Sequence, residues 1–123
     1  QFRLIKSATP GAYTFILLAS KEVPRRVSHP QRKTIGLRVP DHPVLQGLLA
    51  LHNGPLLATT LIAPGDTEPL NDAQEIRSRI EHQIDGVIDA GACPNQATTV
   101  IDLSDGEPVL VRQGRGDPAA LGL

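Results

Sequence analysis

The sequence predicts an α/β domain with a mixed β-sheet, and three observations lead to that class. Strand-like runs of β-branched and aromatic residues alternate with helix-like segments, and the chain closes with several strand-like runs in succession. Its 123 residues, 40% of them hydrophobic, are enough to bury one core. The sequence has no internal repeat and no linker long enough to divide domains. We therefore expect a single domain over residues 1–123.

Strands are predicted where apolar residues run together between turn signals. Residues 1–8 look like the end of a helix that Pro10-Gly11 terminates. The run YTFILLA that follows, residues 13–19, has the β-branched and aromatic content of a buried strand. A basic loop then leads to a second strand at 33–39. The remaining strands are expected at 56–62, 87–89, 98–103 and 108–112.

A first internal helix is predicted from its cap and its apolar spacing. Asp41 or His42 can cap it, with Pro43 in the first turn. The turn signal Asn53-Gly54-Pro55 ends it. Its apolar stripe consists of Val44, Leu45, Leu48 and Leu49.

The clearest helix signal begins near Asp72, which forms a capping-box pattern with Glu75. Gly86 is the expected stop of this helix. Arg77 and Glu81, four residues apart, form an exposed pair that contributes only a few tenths of a kcal/mol. The apolar face consists of Ile76, Ile80 and Ile84.

Most catalytic and metal-binding signatures are absent from the sequence. It contains no GxxxxGK[ST], GxSxG, HExxH, CxxC or GxGxxG motif. The four histidines do not cluster at ligand spacing, and Cys93 has no second cysteine to pair with. Arg115-Gly116-Asp117 resembles an adhesion tripeptide, which we treat as chance. Because no apolar run has membrane-spanning length and Gln1-Phe2-Arg3 does not open a signal peptide, we expect a cytoplasmic location.

Charge is distributed unevenly along the chain, although the net charge is only -1. Residues 1–40 hold eight Lys and Arg against one acidic residue, whereas residues 41–111 hold two against eleven. Such clustering is typical of surfaces that bind nucleic acid or phosphate groups, and a solvated loop is the alternative. Aromatic residues are scarce, so RNA would be recognised by shape and phosphate. The expected RNA-binding surface consists of Lys21, Arg25, Arg26, Arg32 and Lys33.

Hydroxyl groups and arginines recur at the ends of the predicted strands. In KTIGLRVPDHP, residues 33–43, period-two alternation places Arg38 on the face opposite the apolar residues, with room for an anionic group. An ordinary solvent face would look the same. Groups of this kind suit phosphoryl or nucleotidyl transfer, although any single threonine can instead bond the backbone. The whole set is Thr14, Arg38, Thr59-Thr60, Thr98-Thr99 and Arg112.

Six segments, in this order and spacing, resemble the YrdC/YciO-like family of threonylcarbamoyl-AMP synthases: PGAYTFIL, TIGLRVPDHPV, PLLATTLI, DAQEIRSRI, TTVIDL and PVLVRQG. The form TIGLRVP with TTLI is more similar to the YciO branch. The resemblance implies a twisted mixed β-sheet flanked by helices around a basic cavity. It also implies a nucleotidyltransferase that converts L-threonine, bicarbonate and ATP, with Mg²⁺ assisting, into threonylcarbamoyl-adenylate and pyrophosphate for t6A modification of tRNA.

The resemblance assigns roles to five residues. For ATP binding, Thr14 matches a position near the nucleotide, Thr60 matches the serine of a Ser-x-Asn motif, and Arg112 matches an arginine on the phosphates. For L-threonine binding, Arg38 matches the arginine that holds the carboxylate, and Thr98 matches a hydroxyl position.

Two departures from the family leave an alternative open. Ile62 stands where the Ser-x-Asn motif has its asparagine, which removes an amide that could contact ATP. The family domain also begins with roughly eighty further residues. They carry a Lys-x-Arg motif that binds ATP. The chain thus resembles the C-terminal portion of the domain, and alone we expect it to be inactive.

The alternative is a non-catalytic protein that binds double-stranded RNA or associates with ribosomes, in the manner of a translation factor. Ile62 favours this alternative, whereas Arg38 and Arg112 favour the enzyme. Proteins of the tRNA-modification pathway would be partners of the enzyme. A third hypothesis is a stable folding unit with neither activity.

Overall fold

The computed structural model describes residues 2–24, 28–31 and 33–123. The chain divides into two compact units, the first made of residues up to 55 together with 96–123, and the second of Leu56–Asn95. The elements are, in chain order, α1 (Phe2–Ala8), β1 (Tyr13–Leu18), β2 (Thr34–Leu37), α2 (Pro43–His52), α3 (Ala73–Ile80), a 3₁₀-helix (Glu81–Gln83), β3 (Thr99–Asp102), β4 (Val109–Arg112) and a second 3₁₀-helix (Pro118–Leu121).

The first unit contains a four-stranded sheet in the order β2-β1-β3-β4. β1 pairs antiparallel with β2 and parallel with β3, and β3 pairs antiparallel with β4. The predicted mixed α/β class is therefore confirmed. Parallel strands cannot be joined by a tight turn, and the long connection from β1 to β3 includes β2, α2 and the second unit.

The core of the first unit lies on one face of the sheet. Phe15 of β1 and Ile101 of β3 are partners in the parallel register, and both are 0% exposed. Leu37 of β2 is opposite Phe15, so the apolar face predicted for that strand is on the core side. Ala8 of α1 and Leu103 complete the buried cluster. The side chains packed around it are Leu4, Ile5, Tyr13, Leu17 and Leu121.

The segment that follows β4, residues 113–117, is bonded to the beginning of β3, and we call it the 113–117 clasp. Thr99, the first residue of β3, is 0% exposed. Its hydroxyl donates to the Gly116 carbonyl and accepts the Gly114 N–H at 2.9 Å. One side chain therefore satisfies two backbone groups of the clasp, as buried polar groups require.

Both glycines of the clasp lie where no larger residue fits. A Cβ atom on Gly114 would collide with the Ala97 carbonyl oxygen. A Cβ atom on Gly116 would lie 2.6 Å from a Tyr13 ring carbon. The Tyr13 hydroxyl also donates to the Asp117 carbonyl at 2.9 Å, so the clasp contacts both central strands. Glycine is needed here for close approach of the backbone rather than for its conformational freedom.

The internal helices begin where their caps predict. His42 is the N-cap of α2, with Pro43 in the first turn, and the helix ends at Asn53 in the left-handed conformation, φ 57°. Asp72 caps α3 by accepting the Gln74 N–H at 3.0 Å. None of the helices in the described residues is long and apolar enough to cross a membrane.

The second unit contains α3 and is held locally by ion pairs on its surface. Arg79 Nη1 is 2.9 Å from Asp66 Oδ2, which ties α3 to the loop before it. The predicted pair of Arg77 and Glu81 is present at 3.4 Å and is exposed. Exposed pairs of this kind contribute little to stability because water and salt screen them.

Two predicted strands are wrong. Residues 56–62 and 87–89 lie in the second unit as irregular backbone. Leu57 is 79% exposed and Ile88 is 63% exposed, so these apolar runs are not strands of a core. A strand forms only where a neighbouring strand bonds its N–H and C=O groups, and all four paired strands of the described sheet belong to the first unit. Periodicity alone does not reveal which run finds a partner.

Several predicted elements also extend further than the observed ones, most of all α3 and β2. α3 ends at Ile80, a 3₁₀ turn follows, and Ile84 is already extended, so the helix does not continue to Gly86. β2 spans Thr34–Leu37 rather than 33–39, and it begins after Lys33 because that residue has a left-handed φ of 54°. Arg38 therefore lies immediately after the strand.

We expect Phe15→Ala to lower the free energy of unfolding by roughly 3–5 kcal/mol, because it leaves a cavity in the buried cluster. Leu18→Ala is the matched control in the same strand, since Leu18 is 66% exposed. The control should cost less than about 1 kcal/mol. Urea unfolding followed by circular dichroism measures both, and equal effects would contradict the assignment of the core.

We expect Gly114→Ala to lower the free energy of unfolding by about 1–3 kcal/mol, because the new methyl group meets backbone that cannot move aside. Gly47→Ala in α2 is the control, since nothing lies within 4 Å of its Cβ position. In a helix this change should stabilise by roughly 0.5–1 kcal/mol. The two changes in the free energy of unfolding, measured with urea, should have opposite signs. If Gly114→Ala leaves the free energy of unfolding unchanged, the close approach of Gly114 to the Ala97 carbonyl is refuted.

Candidate functional site

Four of the predicted site residues lie at one end of the sheet, each at the end of a different strand. Thr14 is the second residue of β1, and Thr98 immediately precedes β3. Arg38 immediately follows β2, and Arg112 is the last residue of β4. These ends coincide because the outer strands run opposite to the two central ones. In strand order, the hydroxyl–arginine row consists of Arg38, Thr14, Thr98 and Arg112.

The two inner members of the row, Thr14 and Thr98, are in direct contact. Their hydroxyl oxygens are 2.7 Å apart, although 84 positions separate the residues in the chain. The parallel register pairs Tyr13 with Thr99, so Thr14 and Thr98 are diagonal neighbours on the face opposite the core. Either hydroxyl can donate to the other, and lone pairs remain for a ligand.

Arg112 extends the row beyond Thr98. Its Nε and Nη2 donate to the Thr98 carbonyl at 3.2 and 2.9 Å, and Nη2 is 3.5 Å from the Thr98 hydroxyl. The register pairs Arg112 with Val100, which places it on the same face as Thr98. Its side chain is exposed. A guanidinium has five N–H donors in one plane, so those directed away from Thr98 can bind an anion.

Arg38 stands at the other side of Thr14. It is exposed and follows directly after the pair formed by Phe15 and Leu37. Strand alternation gives it the same face as Gly36, which pairs with Ile16. A Cβ atom on Gly36 would lie 3.5 Å from the Thr14 methyl group, so the glycine leaves open space beside Thr14. The row is thus cationic at its outer members and carries hydroxyls between them.

Thr60 belongs to no strand of the described sheet. It lies in the second unit, exposed and outside any helix or strand. Ile62, two residues on, is 47% exposed. The expected contact of Thr60 with ATP stays a prediction from family resemblance.

The expected RNA-binding surface is described only in part. Lys21 and Lys33 are exposed on the connection between β1 and β2. The other three members, Arg25, Arg26 and Arg32, lie outside the described residues. The basic character of this connection therefore rests on sequence together with two exposed lysines.

Sequence reasoning missed the role of Thr99 and of the 113–117 clasp. It grouped Thr98 with Thr99, although alternation sends neighbouring side chains to opposite faces. It also set aside Arg115-Gly116-Asp117, whose glycine packs against Tyr13. Two glycines spaced one residue apart after a strand were the available signal of close backbone approach.

The row does not suit a protein-held metal ion. Mg²⁺ prefers carboxylate and carbonyl oxygens, whereas the outer members here are guanidinium groups. Within residues 2–24, 28–31 and 33–123, no cluster of three or more His, Cys, Asp or Glu side chains could hold a metal. What the row can do is bind a ligand that has both anionic and hydroxyl groups.

Comparison with known proteins relates this geometry to a family. Residues 1–114 match the Sua5/YciO/YrdC family model, which carries the description "Telomere recombination". The chain is 51% identical to the uncharacterised protein YciO of Escherichia coli over 116 residues, or 94% of this chain and 56% of YciO. The crystal structure of that YciO matches with a TM-score of 0.88, over 98% of this chain and 58% of the other. The chain thus spans little more than half of YciO.

Threonylcarbamoyl-AMP synthases are more distant relatives. The human enzyme is 31% identical over 117 residues, covering 90% of this chain and 42% of the enzyme. The structure of Pyrococcus abyssi Sua5 complexed with L-threonine is 30% identical with a TM-score of 0.78, over 92% of this chain and 33% of Sua5. From the family match, the identity to YciO and the shared fold, we conclude that the chain belongs to the Sua5/YciO/YrdC family.

Proposed function

We propose that the hydroxyl–arginine row binds ATP and L-threonine, and that the full-length protein forms threonylcarbamoyl-adenylate from L-threonine, bicarbonate and ATP for tRNA modification. The single observation that carries the proposal is the row itself. Four residues at the ends of four adjacent strands, two arginines and two threonines, lie at one end of the sheet. The inner pair is in hydroxyl contact at 2.7 Å.

The charges of the row suit two anionic substrates. L-threonine has a carboxylate and ATP has phosphates, and each charge-assisted hydrogen bond contributes on the order of 1.5–3 kcal/mol. Arg38 at one side would hold the carboxylate, and Arg112 at the other would hold the phosphates. The relative that was solved with L-threonine, P. abyssi Sua5, shares this fold at 30% identity, which supports assigning L-threonine to the site.

In the proposed reaction, the amine of L-threonine first combines with bicarbonate to give a carbamate and water. A carbamate oxygen then attacks the α-phosphorus of ATP, a new P–O bond forms, the bond to the β-phosphate oxygen breaks, and pyrophosphate leaves. The part of the row in this step is positioning and charge neutralisation. Thr14 would orient the nucleotide and Thr98 the threonine. Mg²⁺ enters only as the counter-ion of ATP, since the row does not suit it.

We expect Arg38→Ala in the full-length protein to raise KM for L-threonine by about 10- to 100-fold with little change for ATP, since one charge-assisted contact is lost. Arg112→Ala should instead raise KM for ATP. Arg77→Ala, which removes an exposed arginine of the second unit, is the control. Chromatographic detection of threonylcarbamoyl-adenylate and pyrophosphate release are the measurements. A folded full-length protein that makes no product would contradict the enzyme proposal.

The second candidate function is non-catalytic binding of double-stranded RNA or of the ribosome. The observation in its favour is the basic connection between β1 and β2, where Lys21 and Lys33 are exposed. The substitution of isoleucine at position 62 for the asparagine of the family motif is compatible with lost catalysis. Affinity of this kind comes from phosphate contacts and is independent of base sequence.

We expect the double change Arg25→Glu and Arg26→Glu to abolish binding to a double-stranded RNA probe, because phosphate contacts dominate such affinity. Arg3→Glu with Lys6→Glu is the control outside the cluster, with the same change in charge. Filter binding at increasing salt measures both. Affinity that does not fall with salt would argue against this function.

A further inference from the structure

Thr98, which precedes β3, and Thr99, its first residue, have side chains on opposite faces of the sheet. Thr98 contacts the hydroxyl of Thr14 on the open face. Thr99 is 0% exposed on the core side, where its hydroxyl accepts the Gly114 N–H and donates to the Gly116 carbonyl. Strand alternation explains the division. The Thr99 side chain therefore cannot touch a ligand bound to the hydroxyl–arginine row.

The bonds of Thr99 hold the chain directly after Arg112. Gly114 is two residues beyond Arg112, and the clasp is further tied by the Arg115 N–H, which donates to the Ala97 carbonyl at 2.9 Å. The side chain of Arg112 is bonded to the Thr98 carbonyl. Both the side chain of this arginine and the backbone after it are thus anchored to the same stretch, residues 97–99.

The end of β4 pairs with β3 at Arg112, beyond an irregularity in the ladder. The register shifts between Val100 and Ile101, so that Val100 pairs with Arg112 while Ile101 pairs with Leu110. Such an irregularity interrupts the ladder one step before Arg112 and bends the strand. All residues of β4 are exposed, so burial does not fix its position either. The clasp is therefore a further contact that holds the backbone after Arg112, beside the pairing of Arg112 with Val100 and its side-chain bonds to the Thr98 carbonyl.

We propose that Thr99 is a positioning residue, which through its two bonds to the 113–117 clasp sets the guanidinium of Arg112 for an anionic ligand. That the ligand is ATP rests on the proposed function, whereas the positioning does not. A buried hydroxyl that bridges an N–H and a carbonyl has no equivalent in an apolar side chain of the same shape. Serine retains the bridge, and valine removes it.

The first test observes Arg112 directly in the full-length protein without any ligand. Exchange of the Arg112 Nε–H proton with water, followed by NMR, should be slow in the wild type and in Thr99→Ser. In Thr99→Val it should be about tenfold faster, as expected when a hydrogen bond loses roughly its net free energy. Thr67→Val, at an exposed threonine of the second unit, is the matched control. Equal exchange in wild type and Thr99→Val would overturn the proposal.

The second test measures ATP affinity by calorimetry. Thr99→Val should lower the affinity for ATP by about tenfold, and Thr99→Ser should lower it by less than about twofold. If Thr99 acts through Arg112, then Thr99→Val should add nothing in an Arg112→Gln background. Additive losses would show that the effect does not pass through Arg112 and would overturn the proposal.

The two tests distinguish failure of the proposed function from failure of the positioning role. If the wild type binds no ATP, the proposed function fails, and Arg112 exchange still decides the positioning role. If Thr99→Val does not fold, exchange of the Gly114 N–H in the wild type decides, because the bridge requires this proton to be protected together with Arg112 Nε–H. A Gly114 N–H that exchanges as fast as an open loop would overturn the proposal.

Discussion

The parallel pairing of β1 with β3 is the constraint on which the rest of the structure depends. It places Phe15 beside Ile101, both 0% exposed, and thereby forms the core. The same pairing brings together Thr14 and Thr98, which are 84 positions apart. A parallel pair requires a long connection between its strands, and here that connection contains a second compact unit. Core and candidate site are therefore two faces of one strand pair.

Strand alternation places the core side chains and the candidate site on opposite faces of the sheet. The face toward α1 carries apolar side chains and the buried Thr99, whereas the opposite face carries half-buried hydroxyls between two exposed arginines. Burying unpaired charge is costly, so cationic groups suit the outer strands and neutral hydroxyls the inner ones. The clasp after β4 contacts the core-side hydroxyl while Arg112 contacts the open face.

The relatives of this chain in the Sua5/YciO/YrdC family differ in how similar they are to it. YciO is 51% identical and uncharacterised, whereas the human synthase is 31% identical. Shared fold alone does not transfer activity, because function depends on the particular side chains of a site. The hydroxyl–arginine row gives the physical reason for the proposal that this chain binds anions. Ile62 stands where the family motif has an asparagine, so binding of a substrate does not by itself imply catalysis by this chain.

Local signals in the sequence determined the mixed α/β class, the caps His42 and Asp72, and four strands, since propensity and turn chemistry act over a few residues. Family resemblance named the members of the row. Only the tertiary structure decided which apolar runs became strands, because hydrogen-bonded pairing is a long-range property: 98–103 found partners and 56–62 did not. It likewise decided that Thr98 faces the site while Thr99 holds the clasp, because register assigns side chains to faces.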